Sequence, residues 1–336
     1  MTAPGFRTRH LAVVGLGLMG ASLAMAMRSR AERITGVDPV PKTRRYAIEQ
    51  GICDHVTDDL RTGVMDAETV VLCAPVQVIT HIVRMQIGSY LRSNTLLIDI
   101  GSTKHDICEA MGRLPIGIQA IGGHPMTGKE VSGIEAADAG LYVGRPFVLC
   151  PTRRTTPGTR LRALAFVEAL GAEPIELDPD RHDKIVAGIS HLPYILSASL
   201  VATIANEARN DEAYWQLAAG GFRDMSRLAA SDIKMMGDII SSNSRAVATL
   251  LARFRVQLAL METLLISGEY DELAQMLSPV RQARLEWMER YEQKRNNYNG
   301  LSAHSAGEAS AREQQGSRGQ VPVAPCSVDG GDSSGR

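Results

Sequence analysis

The sequence predicts an α/β protein, in which an N-terminal Rossmann-type dinucleotide-binding domain precedes an all-helical C-terminal domain. The first observation is a G-x-G-x-x-G turn between a strand-like and a helix-like segment near the N-terminus. The second is an alternation of strand-like and helical runs up to about residue 180, which is typical of a parallel sheet. The third is that the remaining runs carry apolar residues at helical spacing.

The composition is that of a soluble globular protein. The chain has 336 residues, 44% of them hydrophobic, and a net charge of −1, which offers no electrostatic basis for binding nucleic acid or an anionic membrane. No window approaches the ~20 apolar residues of a membrane span. The five cysteines are widely spaced and match no metal-ligand pattern. We therefore predict a cytoplasmic protein with reduced thiols and no bound metal.

The first strand, predicted over residues 10–16, leads into the glycine-rich turn. Glycines permit a tight turn and a close approach of the backbone to a pyrophosphate, and the following helix N-terminus supplies free N–H groups. The cofactor-binding residues predicted in this turn are Gly15, Gly17, Leu18, Met19 and Gly20. The alternative is a glycine-rich turn in an α/β protein that binds no nucleotide.

An acidic residue closes the second strand, which is predicted over residues 34–37. Asp38 comes shortly after the glycine-rich turn, at the place where a carboxylate accepts hydrogen bonds from the ribose hydroxyls of a dinucleotide. The same carboxylate repels a 2′-phosphate. We therefore predict NAD rather than NADP as the cofactor.

Three further strands, predicted over residues 69–74, 96–100 and 118–121, end in residues that suit a ligand site. The first ends at Ala74 and Pro75, the second at a Gly-Ser-Thr-Lys turn containing Ser102, and the third just before His124. Because ligands bind beyond the carboxyl ends of parallel strands, we expect these residues to share one crevice. Strands over residues 147–150 and 174–177 complete the predicted sheet.

His124 is the main candidate for acid–base chemistry. Two glycines precede it and Pro125 follows, so the direction of the chain is fixed where the side chain emerges. Imidazole is suited to proton transfer near neutral pH. The alternative is a turn histidine that only caps a strand.

The helical half contains two long apolar segments and one arginine-rich break. Residues 182–206 are apolar nearly all round, which predicts a buried helix, and residues 247–265 carry an amphipathic stripe. Apolar faces of this length predict a homodimer through this domain. The break contains Arg223 and Arg227 beside two glycines, and paired arginines bind carboxylates. An ordinary helix–helix turn with surface charges is the alternative.

These patterns divide the chain into three parts. We predict the dinucleotide-binding domain over residues 1–180 and the helical substrate and dimerisation domain over residues 181–295. Residues 296–336 are rich in Asn, Ser and Gly and contain few large apolar side chains. We predict that they form a disordered tail without chemistry.

Four motifs occur in order along the chain: DIGSTK, GGHPMTGKEVSG, ISHLPY and GFRDMSRLAASD. Through them the chain, from about Leu11 to Arg290, resembles the prephenate/arogenate dehydrogenases of tyrosine biosynthesis. The resemblance implies an NAD-dependent oxidative decarboxylation. A hydride leaves C4 of a cyclohexadienyl ring, the ring carboxylate leaves as CO₂, and an aromatic ring forms. We favour prephenate as the substrate, with arogenate as the alternative.

The resemblance also implies roles for individual residues. His124 matches the histidine that takes the C4-hydroxyl proton, Ser102 matches the serine that hydrogen-bonds it, and Arg227 matches the arginine that pairs with a substrate carboxylate. The residues that match the lining of the substrate pocket are His191, Ser190, Glu130 and Tyr194.

Three positions depart from the family pattern and bear on the substrate contacts. Tyr194 stands where many relatives have a second histidine, Lys129 stands where a small residue is common, and Met236 stands where many have tryptophan.

Two other functional interpretations of the sequence fit less well. β-Hydroxyacid dehydrogenases use a lysine in a G-x-x-G-x-x-x-K context that this chain lacks. A non-catalytic NAD-binding regulator would have lost the catalytic residues, all of which are present.

Overall fold

The computed structural model describes residues 5–129 and 131–316, with side chains described as far as residue 293. The chain forms two compact units, Met1–Ala259 and Leu260–Arg336. The sheet of the first unit consists of β1 (Thr8–Val14), β2 (Ala31–Val37), β3 (His55–Thr57), β4 (Thr69–Leu72), β5 (Leu96–Asp99), β6 (Gln119–Pro125), β7 (Pro146–Pro151) and β8 (Glu173–Glu176). Their order is β3-β2-β1-β4-β5-β6-β7-β8, which confirms the predicted α/β class.

Helices cover both faces of this sheet. They are α1 (Leu18–Ala26), α2 (Pro41–Glu49), α3 (Leu60–Val64), α4 (Val76–Met85), α5 (His105–Met111) and α6 (Pro157–Ala169). Successive side chains of a strand point to opposite faces, so Leu11 packs in a core with α1 and α6, whereas Ala12 packs in a second core with α4 and α5. Strands β4 and β5 are buried throughout, as expected in a sheet covered on both sides.

The seventh and eighth strands run in the opposite direction to the first six, which the parallel pattern did not predict. β7 pairs antiparallel with β6 and parallel with β8. Among its described residues, the connection from β6 to β7 contains only a short 3₁₀ turn, Ile134–Ala136. Because no long helix carries the chain back across the sheet, β7 starts at the edge where β6 ends.

The sixth strand is longer than predicted, and this changes the position of His124. β6 pairs with β5 only as far as Ile121, but it continues to Pro125 because β7 supports its far end. His124, opposite Val148, therefore lies inside the strand and not in a turn after it. It occupies the part of β6 that extends beyond β5.

The remaining helices are α7 (Pro179–Val186), α8 (Leu192–Glu207), α9 (Ala213–Gln216), α10 (Gly220–Ser226), α11 (Ile233–Ser242), α12 (Ser244–Ser267) and α13 (Tyr270–Gly316). A π-helical turn, Ala187–His191, joins α7 to α8. The boundary predicted at residue 180 lies inside the first compact unit. The reason is that α7 and α11 are hydrogen-bonded, through Asp183 and Ser242, to the turn that follows β5.

The helical path Pro179–Glu207 differs from both predictions made for it. Its most apolar 18-residue window has a mean hydropathy of 1.7, so the path is long and apolar enough to cross a membrane by length and composition, although no membrane-length window was expected. Only 22% of the residues in that window are buried in the single chain, and most of the others are partly buried, so it is not the fully buried helix that was predicted. Its first turns nevertheless hold the buried polar residues His182 and Asp183, so this end packs against protein.

The second unit contains the end of α12 and the whole of α13. Helix α13 continues to Gly316, whereas a disordered tail was predicted from residue 296. Residues 302–315 are rich in Ala, Glu, Gln and Arg, which have high helix propensity, and this accounts for the helical backbone. Residues 317–336 lie outside the described part of the chain.

Candidate active site

The glycine-rich turn has the shape of a cradle for a phosphate group. Gly15 has a φ of +96°, and a Cβ there would lie 2.4 Å from the carbonyl oxygen of Cys73. A Cβ on Gly20 would lie 1.9 Å from the carbonyl oxygen of Gly15. On the side of Gly17, by contrast, a Cβ would meet open space. No side chain caps α1, so its first N–H groups are available to an anion in that space.

Asp38 fixes the shape of the same turn from the end of β2. Its carboxylate accepts hydrogen bonds from the N–H of Leu16 at 2.8 Å and from the N–H of Val40 at 2.9 Å. Each oxygen retains a further lone pair for a ribose hydroxyl. Leu18 is buried under the turn, and the carbonyl of Met19 accepts a 2.6 Å hydrogen bond from the Tyr142 hydroxyl.

The turn after β4 lies beside α11. Pro75 precedes the first residue of α4, and the N–H of Gln77 in the first turn of α4 lies 3.3 Å from the carboxylate of Asp238. The Gln77 side chain also donates to the hydroxyl of Ser241 at 2.8 Å. The end of α11 therefore borders the turn that contains the predicted cofactor residues Ala74 and Pro75.

His124 is the first member of a chain of three hydrogen-bonded side chains. Its Nδ1 lies 2.8 Å from Nε2 of His182, and Nδ1 of His182 lies 2.8 Å from a carboxylate oxygen of Asp183. His182 and Asp183 are buried, whereas His124 is partly exposed. Nε2 of His124 has no hydrogen-bond partner among the described residues, so this nitrogen is the one available to a substrate.

The far end of this chain is anchored to the turn after β5. The Asp183 carboxylate accepts hydrogen bonds from the N–H of Lys104 at 2.7 Å and from the N–H of His105 at 2.9 Å. Burial raises the pKa of Asp183, but the hydrogen bonds from His182, His105 and Lys104 outweigh that effect and hold this pKa below its usual value. Asp183 is therefore ionised at neutral pH.

A buried ion pair lies beneath the same turn. The Lys104 ammonium contacts the Asp99 carboxylate, and both side chains are fully buried. Asp99 also accepts hydrogen bonds from the N–H of Gly101 at 2.8 Å and of Gly123 at 3.1 Å. The pair thus joins the turn that carries Ser102 to the strand that carries His124.

The surroundings keep His124 neutral. Burial is the main factor that holds the pKa of His124 well below its usual value, and His182, Lys104 and His191 lower it further. A neutral imidazole can accept a proton, which is the state that a general base requires. The geometry and the charge state together fit His124 for proton abstraction at Nε2.

His191 occupies a buried position in the π-helical turn. Its Nδ1 lies 3.3 Å from the side-chain nitrogen of Asn243, which also donates to the backbone carbonyl of Asp183 at 2.7 Å. Burial lowers the pKa of His191 to about 4, with Asp183 opposing the shift and His182 adding to it. His191 is therefore a neutral hydrogen-bonding group close to His182 and Asp183.

The structure joins some predicted site residues and leaves others apart. No described residue hydrogen-bonds the Ser102 hydroxyl, and His182 occupies the nitrogen of His124 that faces into the protein. Ser190 and Arg227 are exposed and Tyr194 is partly buried; no described hydrogen bond links these three to His124. Their roles, like that of Ser102, stay predictions. Glu130 lies outside the described residues.

Lys129 is not free to act on a substrate through its charge. Its ammonium lies 3.1 Å from the Asp138 carboxylate and donates to the carbonyl of Ala136 at 3.3 Å. A compensated, partly exposed cation has little influence beyond its own ion pair.

Reasoning from the sequence missed the three residues that support His124, which are His182, Asp183 and Asn243. A signal was available, since the adjacent His-Asp pair lies just before the ISHLPY motif. Two polar residues at the start of an otherwise apolar helix are costly to bury unless they are hydrogen-bonded. The missing information was that α7 packs against the turn after β5.

Comparison with known proteins covers most of the chain. Residues 23–176 match the model for "Prephenate dehydrogenase, nucleotide-binding domain", and residues 178–279 match the model for "Prephenate dehydrogenase, dimerization domain". The prephenate dehydrogenase of Bacillus subtilis (strain 168) is 32% identical over 69% of this chain and 63% of its own length. The chain thus spans less than two thirds of that relative.

Two solved structures are similar over nearly their whole length. The arogenate dehydrogenase of Synechocystis is 32% identical, with a TM-score of 0.73 over 83% of this chain and 99% of that one. The prephenate dehydrogenase of A. aeolicus, crystallised with hydroxyphenyl propionate and NAD⁺, is 27% identical. Its TM-score is 0.75 over 83% of this chain and 98% of that one.

Proposed function

Because the chain belongs to the prephenate dehydrogenase family, we propose that it is an NAD-dependent enzyme that converts prephenate to 4-hydroxyphenylpyruvate by oxidative decarboxylation. The observation that carries the proposal is His124, which is neutral, has an available Nε2 and is held by a buried His–Asp pair. The test is to mix purified enzyme with NAD and prephenate and to follow the absorbance of the reduced cofactor. No prephenate-dependent reduction would contradict the proposal.

The residues of the first crevice fit NAD. The open side of Gly17 and the uncapped start of α1 suit the pyrophosphate, and the Asp38 carboxylate suits the adenosine ribose. The nicotinamide, when bound, supplies the acceptor for the hydride that leaves C4. The protein itself must place C4 beside that acceptor and remove one proton.

The proton has a defined destination in this site. The C4 hydroxyl gives its proton to Nε2 of His124 as the C4 hydride departs with its electron pair. The bond to the ring carboxylate then breaks and CO₂ leaves. The electrons of that bond complete the aromatic ring, and the C4 oxygen, left as a phenolate, takes back a proton to give the phenol. We assign Ser102 to hydrogen-bonding the hydroxyl and Arg227 to a substrate carboxylate, with His191, Ser190, Glu130 and Tyr194 lining the pocket. These assignments rest on the motif match.

Changing Asp38 to serine should weaken the preference for NAD over NADP. In the native enzyme the carboxylate repels a 2′-phosphate, so kcat/KM for NAD should exceed that for NADP by at least about a hundredfold, roughly 2.7 kcal/mol in transition-state binding. In Asp38→Ser the ratio should fall by at least about tenfold. Arg44, which donates to the Asp38 carbonyl at 2.6 Å, lies close enough to attract the phosphate. Equal kcat/KM values for the two cofactors in the native enzyme would contradict the assignment.

Prephenate is the proposed substrate because it carries a keto group where arogenate carries an ammonium group. Arg227 with the Tyr194 hydroxyl suits a keto acid. The Lys129 cation, paired with Asp138, contributes little to this choice. Glu130 is the residue whose charge would favour arogenate.

Measurement of kcat/KM for both substrates decides this point. We expect prephenate to be favoured, and Tyr194→Phe should reduce that preference several-fold because the phenyl ring offers no hydroxyl to the keto oxygen. Lys129→Ala is the matched control, and the substrate ratio should stay within about threefold of the native value because exposed ion pairs contribute at most about 1 kcal/mol. A tenfold preference for arogenate, about 1.4 kcal/mol, would overturn the assignment.

The apolar helix α8, which is only partly buried in the single chain, supports a homodimer. Residues 178–279 match a dimerization domain, and α8 has only Ser197 buried in the single chain. A second copy that packs on α8 would remove this apolar surface from water. We therefore assign the apolar path Pro179–Glu207 to a dimer interface rather than to a membrane. The cytoplasmic location stays a prediction, and the four described cysteines are free thiols.

A further inference from the structure

The hydrogen bonds around His124 indicate which ring nitrogen, Nδ1 or Nε2, carries the hydrogen of its neutral imidazole. Asp183 is a carboxylate and can only accept, so Nδ1 of His182 carries the hydrogen of that 2.8 Å contact. In a neutral imidazole the other nitrogen is then an acceptor. When His182 is neutral, its Nε2 therefore accepts from Nδ1–H of His124. This leaves the lone pair of His124 on Nε2, the available nitrogen.

We propose that His182 and Asp183 are positioning residues that fix this tautomer of His124 and receive its Nδ1 proton during the reaction. The inference rests on the proposed function for its chemical step. As the substrate O–H bond breaks, an N–H bond forms at Nε2 of His124. The Nδ1–H bond of His124 breaks and an N–H bond forms at Nε2 of His182. The positive charge then lies on the imidazolium that contacts the Asp183 carboxylate.

Burial explains why such a transfer is favourable. The site penalises a charged His124, because its ring is in a desolvated environment beside Lys104 and His191. His182 instead adjoins a carboxylate that backbone N–H groups hold in place. An imidazolium paired with a buried carboxylate is stabilised in a way that an unpaired one is not. The other described titratable groups around the three residues include Asp99, Lys104, Cys108, His105, Cys150 and His191.

The variants His182→Gln and His182→Ala distinguish orientation of His124 from proton transfer to His182. Glutamine can still accept a hydrogen bond from Nδ1–H of His124, but it cannot take up the proton. If His182 only orients His124, glutamine preserves the rate and alanine does not. If the proton moves to His182, both variants lose kcat by about 10–100-fold, within the usual range for acid–base groups. The KM for prephenate and the Kd for NAD should change less than about threefold in either variant, since His182 is buried.

His10→Gln is the control for removing a buried histidine. His10 lies near the start of β1 and is hydrogen-bonded to Thr35 and Arg33 of β2, away from β6, so kcat of this variant should match that of the native enzyme. Asp183→Asn, which removes the charge, should lower kcat at least tenfold. A His182→Gln enzyme with kcat within threefold of the native value would overturn the proton transfer.

A spectroscopic measurement tests the tautomer without any substrate. In ¹⁵N spectra of histidine-labelled native enzyme, assigned with the His124→Asn and His182→Gln variants, both residues should show a protonated Nδ1 and an unprotonated Nε2. A protonated Nε2 on His124 would overturn the proposal even if the enzyme is active. If the tautomers are as expected but the enzyme reduces no NAD with prephenate, the proposed function is wrong and the tautomer assignment stands.

Discussion

Replacing His124 by asparagine lowers kcat by about 10²–10⁴, the usual contribution of a general base. Asparagine is the informative choice because its amide nitrogen occupies nearly the position of Nδ1 and can still donate to Nε2 of His182. The buried His–Asp pair therefore keeps its partner, and only the available Nε2 is lost. The rate of NAD reduction at saturating prephenate is the measurement.

Two controls separate a lost base from a damaged site. The affinity for NAD should be unchanged, because the glycine-rich turn and Asp38 follow β1 and β2 and are not part of β6. The thermal midpoint should also stay close to that of the native enzyme. A His124→Asn enzyme that retains at least a third of the native kcat would remove this residue from the mechanism.

Replacing Lys104 by methionine should destabilise the protein by about 3–5 kcal/mol, because it leaves a buried carboxylate without its counter-charge. Asp99 and Lys104 are both fully buried, so water cannot replace the lost partner. The loss should appear as a lower midpoint in denaturant unfolding. Activity should fall as well, because Asp99 holds the N–H of Gly123 next to His124.

The double variant Asp99→Asn with Lys104→Met tests whether the unpaired Asp99 charge causes the loss of stability. Removing both charges should recover part of the stability that Lys104→Met loses, because no unpaired charge remains buried. Lys42→Met serves as the control, since Lys42 pairs with Glu135 at the protein surface and its loss should leave the unfolding midpoint unchanged. A single Lys104→Met variant as stable as the native protein would contradict this account of the ion pair.

Local rules predicted much of the sheet. The glycine-rich turn and Asp38 are recognisable because backbone conformation and charge limit which residues can occupy those places. The residues around His124 were harder to predict. The length of β6 depends on its antiparallel partner β7, and a strand pattern in one segment carries no information about such a partner.

The contribution of the helical half could not be read from its own sequence. His182, Asp183 and Asn243 matter because α7 and α11 pack against the turn after β5. Contacts between segments this far apart in the chain leave no local pattern. The same limit explains why residues 182–206 were predicted as a buried helix, since an apolar helix that forms the proposed dimer interface has the composition of a core helix.

The π-helical turn Ala187–His191 sets the angular phase between α7 and α8. Each residue advances an α-helix by about 100° around its axis, so the wider turn rotates everything that follows it. If one residue were deleted and the α-helix ran through, α8 would turn by about 100° relative to α7. Ser197 would then face away from the N–H of Ala229, to which it now hydrogen-bonds at 2.9 Å. The extra residue of the π-helical turn therefore allows the continuous helical path from α7 to α8 to place His182 beside His124 and Ser197 beside the turn that carries Arg227.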